Sequence, residues 1–141
     1  MSSLQSLIDQ VDDSINEIIH MNQELIKIPS INTGYMPTGN ETLVAEFLRD
    51  SLLDDGISSK LIGRDPKRKN FISDYPSISD KTKLMFMSHT DVVPVENEEK
   101  WKFDPFSGTI HEGRVYGRGS NDCKALLTTV SYTHLTLPTK A

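Results

Sequence analysis

The hydrophobic period of the chain changes at Gly56, and this change limits the possible folds more than any other feature. Before Gly56, apolar residues recur at spacings of three and four over residues 4–27 and again over residues 41–55, which predicts two amphipathic helices. After Gly56, the apolar segments are short and suit strands rather than helices. The sequence therefore predicts an α/β fold.

The ends of these elements carry their own signals. Thr38 and Glu41 have the spacing of a capping box, so the second helix is expected to begin there and to end at Gly56. Strands are predicted at 57–62, 71–75 and 84–87, then a hairpin of Thr109–His111 with Arg114–Tyr116, and a helix from about 120–122. The apolar run 84–87 predicts a central strand that is buried on both faces.

Charge and composition exclude several classes of partner. The formal net charge is −5, and the basic residues do not cluster as a nucleic-acid surface requires. Cys123 is the single cysteine, so no internal disulfide can form. The N-terminal sequence has no secretory signal pattern, and the longest apolar run, 84–87, is far shorter than the ~20 residues of a membrane span. These features predict a cytoplasmic protein with neither nucleic acid nor membrane as a partner.

Residues 130–141 differ from the chain before them. The helical period that begins at Ala125 is expected to end at Thr129, and the following segment resembles the in-frame translation of a sequencing adapter. We therefore expect one domain at 1–129 and a non-native tail at 130–141. A genuine threonine-rich strand and loop is the alternative, and His134 is not a site candidate in either case.

Candidate chemistry begins at the end of the predicted strand 84–87. His89 and Asp91 lie two residues apart, where both side chains leave the same face of a sheet and where α/β proteins bind ligands. A carboxylate beside an imidazole fixes the ring for zinc binding. Asp122 follows about thirty residues later in a glycine-bounded segment. The ordinary alternative for His89 and Asp91 is a turn residue beside a polar side chain whose hydrogen bonds are satisfied. For Asp122, the alternative is a carboxylate that only complements the dipole of the following helix.

The chain contains four motifs in the order MFMSHTDVVP, WKFDPF, HEGRVYGRG and NDCKALL. Together they resemble a zinc-dependent family that includes acetylornithine deacetylase, succinyl-diaminopimelate desuccinylase, aminoacylase and glutamate carboxypeptidase. The opening segment ELIKIPS is also similar to that family, so the resemblance covers roughly residues 14–129. It implies the N-terminal part of a three-layer α/β/α catalytic domain with a mixed central sheet.

The resemblance also implies a site and a reaction. His89 would bind one zinc ion, Asp122 would bridge two, and Asp91 would act in catalysis by steering the imidazole. Such an enzyme hydrolyses an amide bond in an N-acyl amino acid or short peptide, with two Zn²⁺, or Co²⁺ or Mn²⁺, activating a water. The family's base is one of two adjacent glutamates downstream of the bridging aspartate, and no such pair follows Asp122. The resemblance further implies a homodimer formed through a domain absent from this chain.

Three departures from the family pattern stand out: Glu112 replaces aspartate, Cys123 occupies a hydrophobic position, and Ala125 replaces glycine. We expect Cys123 to pack in the core rather than to react. His20 and His111 are expected at the surface. Because the base is missing, the alternative function is a truncated, catalytically inert fragment or a stand-alone binding module.

Overall fold

The computed structural model describes residues 4–35, 38–75 and 84–132. The elements follow in the order α1 (Leu4–Asp13), α2 (Ile15–Lys27), α3 (Glu41–Asp54), β1 (Ser59–Ile62), β2 (Asn70–Ser73), a short 3₁₀ helix (Glu98–Lys100), β3 (Thr109–His111), β4 (Arg114–Tyr116) and α4 (Lys124–Tyr132). This mixture of helices and small sheets confirms the predicted α/β class.

The first predicted helix is interrupted at Ser14, which separates α1 from α2. The Ser14 hydroxyl donates to the carbonyl of Gln10 at 2.9 Å, and a side-chain bond of this kind often bends a helix. No residue of α1 is buried, whereas α2 buries Met21, Leu25 and Ile26. The apolar period thus continues across Ser14, but only the second half of it reaches the core.

Helices α2, α3 and α4 form the core. Leu25 of α2 packs with Val44 and Leu48 of α3 and with Leu127 of α4, and the first three of these side chains are fully buried. Burying a leucine or valine contributes about 1.5–3 kcal/mol, so this cluster is a major source of stability. It also fixes the C-terminal end of α2 against the start of α4.

Helix α3 ends as predicted but begins differently. Gly56 has a φ of +77°, and the amide groups of Gly56 and Ile57 donate to the carbonyls of Leu53 and Leu52 in a Schellman arrangement. The predicted capping box is wrong, because the helix starts after Asn40 with no side-chain cap. Glu41 instead accepts from Arg68 Nε at 3.0 Å, an ion pair with the β1–β2 connection.

The predicted hairpin of Thr109–His111 with Arg114–Tyr116 is confirmed, and the two strands predicted at 57–62 and 71–75 also form, as β1 and β2. β1 pairs with β2 and β3 pairs with β4, both antiparallel, and each pair forms a separate two-stranded sheet. Glu112 and Gly113 form the turn between β3 and β4, with φ values of 49° and 71°. A two-residue type I′ hairpin turn requires positive φ at both of these positions.

The predicted central strand at Leu84–Met87 is not formed, and this part of the prediction is wrong. These four side chains are 59–80% exposed. The two sheets that the described residues form do not include this segment, so it is not a strand of a central sheet. The parallel pairing present nearby is a single bridge between Ile31 and Val92.

Helix α4 continues through Tyr132, three residues past the point where the sequence predicts its period to end. Ser131 is buried and Tyr132 packs against the core cluster, which explains the extension. The assignment of residues 130–141 as a non-native tail stays a prediction. Residues 133–141, which include His134, lie outside the described residues.

Candidate metal centre

Two loops bring the predicted site residues together, and the first carries His89 and Asp91. This loop is fastened to the segment that follows α2. The Val92 amide donates to the Ser30 carbonyl at 2.9 Å, and the Ser30 hydroxyl donates to the Thr90 carbonyl at 2.6 Å. The backbone on both sides of Asp91 is therefore held.

The second loop, residues 117–123, carries Asp122 into the start of α4. Its sharp turn depends on Gly119, which has a φ of +89°. A Cβ atom at this position would lie 2.9 Å from Val92 Cγ1, so the two loops pack more closely than any other residue would allow. The Lys124 amide closes the turn by donating to the Gly119 carbonyl at 2.9 Å.

His89 lies between the two aspartates. Its Nδ1 is 2.9 Å from the Asp91 carbonyl oxygen and 3.2 Å from Asp91 Oδ1, while its Nε2 is 3.0 Å from Asp122 Oδ1. A cleft of about 210 Å³ opens beside the ring, lined by His89 and Asp122 and, in addition, by Val92, Val93 and the loop 117–121. The structure thus brings together the three residues that the sequence predicted.

Both nitrogens of the His89 ring face oxygen atoms that only accept hydrogen bonds. We assign the proton of a neutral ring to Nδ1, because this nitrogen contacts two such oxygens; Nε2 then presents a lone pair toward the Asp122 carboxylate. Two facing acceptors need a cation or a proton between them. In the metal-free protein the hydrogen bond to Asp122, and then the contacts with Asp91, raise the pKa of His89.

The donor set fits a metal ion such as zinc. Two ligands of a tetrahedral zinc at about 2.0–2.1 Å lie roughly 3.3 Å apart, close to the 3.0 Å between His89 Nε2 and Asp122 Oδ1. Among the described residues, the ligand atoms of His89, Asp122 and Cys123 all lie within 4.8 Å of one another. The Cys123 thiol is buried, as predicted, and contacts Ser88 Oγ at 2.7 Å.

Two residues that support this centre, Asn32 and Lys124, were not predicted from the sequence. Asn32 donates from Nδ2 to Asp91 Oδ2 at 2.8 Å. Lys124 is fully buried and donates from Nζ to the carbonyls of Leu25 and Ile28 at 2.7 and 2.6 Å, the acceptors at the end of α2. Burial lowers the pKa of Lys124 to about 8. A lysine next to a candidate ligand was a signal, but its sequence position alone gives no partner.

The other histidines of the described chain lie away from the centre. His20 is exposed and lies near Glu24 on the same helix. His111 packs its ring against Phe103 and Tyr116 at centroid distances of 5.2 and 6.1 Å.

Within residues 4–35, 38–75 and 84–132, no helix has both the length and the apolar composition of a membrane-spanning helix.

Residues 85–137 match the peptidase family M20/M25/M40. The chain is 37% identical over 110 residues to succinyl-diaminopimelate desuccinylase of Ehrlichia canis, covering 77% of this chain and 27% of that protein. It is 57% identical over 44 residues to the enzyme of the same name from Polynucleobacter necessarius, covering 31% of this chain and 12% of that protein.

The fold is similar to that of an M20 family metallo-carboxypeptidase from Sulfolobus solfataricus. The TM-score is 0.71 at 28% identity, and the match covers 84% of this chain and 26% of that one. The chain thus spans about a quarter of the length of the relatives it matches.

Proposed function

Because this chain is a relative of the M20/M25/M40 peptidases in sequence and in fold, we propose that the whole protein hydrolyses an amide bond in an N-acyl amino acid or a short peptide, using bound metal. The observation that carries the proposal is the 3.0 Å approach of His89 Nε2 to Asp122 Oδ1, two electron-pair donors that face each other at the edge of a cleft.

In this proposal His89 and Asp122 are metal ligands. The Asp122 side chain is 85% exposed, which leaves room for its carboxylate to contact a second ion. We propose two zinc ions per complete subunit. When bound, a metal pair of this kind supplies a water of lowered pKa and polarises the scissile carbonyl.

Asp91 acts on the imidazole rather than on the substrate. Its carbonyl and its carboxylate both accept from Nδ1 of His89, which keeps the proton on that nitrogen and leaves the lone pair at Nε2. The ring therefore presents one nitrogen to the metal in a fixed orientation. In this proposal, Asp91 contributes to catalysis by holding the His89 ring in this orientation.

Two glycines, a serine and two valines are among the residues that line the cleft beside His89. Arg118 lines it too, with its guanidinium 5.1 Å from the Trp101 ring centroid and bonded to the Pro94 carbonyl at 3.2 Å. These contacts hold the rim of the cleft without filling it. An extended acyl or peptide group has access to the ligand atoms from this side.

The test is the metal content of the whole protein and its variants. We expect His89→Ala to lose about one metal ion per subunit, because it removes one ion's anchor, and Asp122→Ala to disturb both. His20→Ala, which changes an exposed histidine elsewhere, is the matched control and should keep the full content. Unchanged metal in both site variants would contradict the proposed ligands.

The alternative of an inert binding module predicts a different outcome. The 141-residue chain offers few ligands, so we expect neither amidase activity nor tight stoichiometric zinc from it alone. Hydrolysis of N-acetyl or N-succinyl amino acids or of dipeptides by the whole protein supports the enzyme. Failure on all of these substrates, with metal retained, favours the module.

A further inference from the structure

Asp91 is itself held by a neighbour from a distant part of the chain. Its two carboxylate oxygens have different partners: Oδ1 is 3.2 Å from His89 Nδ1, and Oδ2 accepts from Asn32 Nδ2 at 2.8 Å. The carboxylate is thereby fixed on both sides. Without Asn32, the Asp91 side chain would be free to rotate away from the ring, because it is about one-third exposed to water.

The orientation of the Asn32 amide follows from a second contact. Its Oδ1 accepts from the Gly34 amide at 2.8 Å, so Nδ2 is the group that faces Asp91. The backbone of Asn32 is fixed as well, since its amide donates to the Val92 carbonyl at 2.8 Å. These hydrogen bonds of the Asn32 backbone and side chain together fix the position of its side-chain amide.

We propose that Asn32 is a positioning residue of the metal centre, one that locks Asp91 and thereby fixes the ring and tautomer of His89. The proposal deepens the proposed function and rests on it for the identity of the ligand. In this role Asn32 acts through Asp91 rather than on the metal or the substrate. A hydrogen bond of this outer kind commonly changes metal affinity 10–100-fold when it is removed.

Two substitutions separate this role from a merely structural one. Asn32→Ala removes both side-chain contacts. Asn32→Asp keeps the shape and the acceptor for Gly34, so it preserves the turn, but it loses the donor and puts a second carboxylate against Asp91. A purely structural role would be rescued by aspartate, whereas a positioning role would not.

The first measurement is the tautomer of His89 in the metal-free 141-residue chain. Long-range ¹H–¹⁵N spectra of histidine-labelled protein at mildly alkaline pH distinguish a proton on Nδ1 from one on Nε2, and His89→Ala assigns the signal. We expect Nδ1–H in the wild type and a mixture of tautomers in both Asn32 variants. Asn70→Ala, which removes an asparagine contact in β2, should leave the spectrum unchanged.

The second measurement is the Co²⁺ affinity of the whole protein by competition with a chelating dye. Both Asn32 variants should bind about 10–100-fold more weakly than the wild type. Wild-type tautomer and affinity in Asn32→Asp would overturn the proposal, as would an unaffected Asn32→Ala. A wild type that binds no Co²⁺ would instead refute the proposed function, while the tautomer measurement would still decide the role of Asn32.

Discussion

Lys124→Met is the substitution whose effect can be worked out most fully from the structure. The Lys124 side chain has no exposed surface, and its Nζ donates to two carbonyls at the end of α2, those of Leu25 and Ile28. Methionine has nearly the same shape, so the change opens little cavity. It removes one hydrogen bond from each carbonyl, at a cost of about 0.5–1.5 kcal/mol per bond. Each carbonyl keeps a backbone donor, the Ile28 amide at 3.2 Å for Leu25 and the Ser30 amide at 2.9 Å for Ile28.

The buried charge acts in the opposite direction. Burial lowers the pKa of Lys124 from 10.5 to about 8, which corresponds to roughly 3 kcal/mol against the ammonium form. The penalty is present in full below the folded value of about 8. It disappears as the pH rises to the unfolded value of 10.5, because over that range the unfolded chain binds more protons than the folded one.

The destabilisation caused by Lys124→Met should therefore grow by roughly 3 kcal/mol between about pH 7 and pH 10.5. Urea unfolding of both proteins at several pH values, followed by circular dichroism, measures this difference. All other titrating groups are shared, so they cancel in the comparison. A difference that stays constant with pH would refute the reasoning, since it would mean that the two carbonyls keep Lys124 equally charged in both states.

Two further predictions concern the loop packing and the exposed apolar segment. Gly119→Ala should destabilise the chain by about 1–3 kcal/mol in thermal unfolding, through a positive φ and a contact with Val92. Gly34→Ala has a similar φ of +80° with no atom near the added Cβ, so an equal loss there would show that packing contributes nothing. Met85→Glu should reduce light scattering without lowering the free energy of unfolding, because Met85 is 73% exposed; unchanged scattering would contradict an aggregating role for 84–87.

Much of the local structure was predictable because it depends on local signals. The turn at Glu112 and Gly113 and the end of α3 at Gly56 require positive φ angles, and the residues that favour them are visible in the sequence. The break at Ser14 was not predictable, because apolar spacing continues across it. Likewise, Leu84–Met87 has the composition of a buried strand, but burial depends on a sheet with covered faces, and neither sheet of the described residues includes this segment.

The site, too, was predictable only where a local motif marks the residues. His89, Asp91 and Asp122 were predicted from their motifs, and the structure brings them within hydrogen-bonding distance. Their assignment as ligands and positioning residue remains a prediction. Asn32 and Lys124 were missed because their contacts join positions 59 and up to 99 residues apart, and no local pattern records a partner at such a distance.

The contact of Lys124 with the end of α2 can form only late in synthesis, because its two partners lie far apart in the sequence. The carbonyl of Leu25 leaves the ribosome 99 residues before Lys124, an interval of about 5–20 s at about 5–20 residues per second. Throughout that interval the carbonyls at the end of α2 have their backbone donors, the Ile28 and Ser30 amides, but not the Lys124 ammonium group. The nascent helix can be complete long before its final partner exists, so its end is tied to α4 only after Lys124 has emerged.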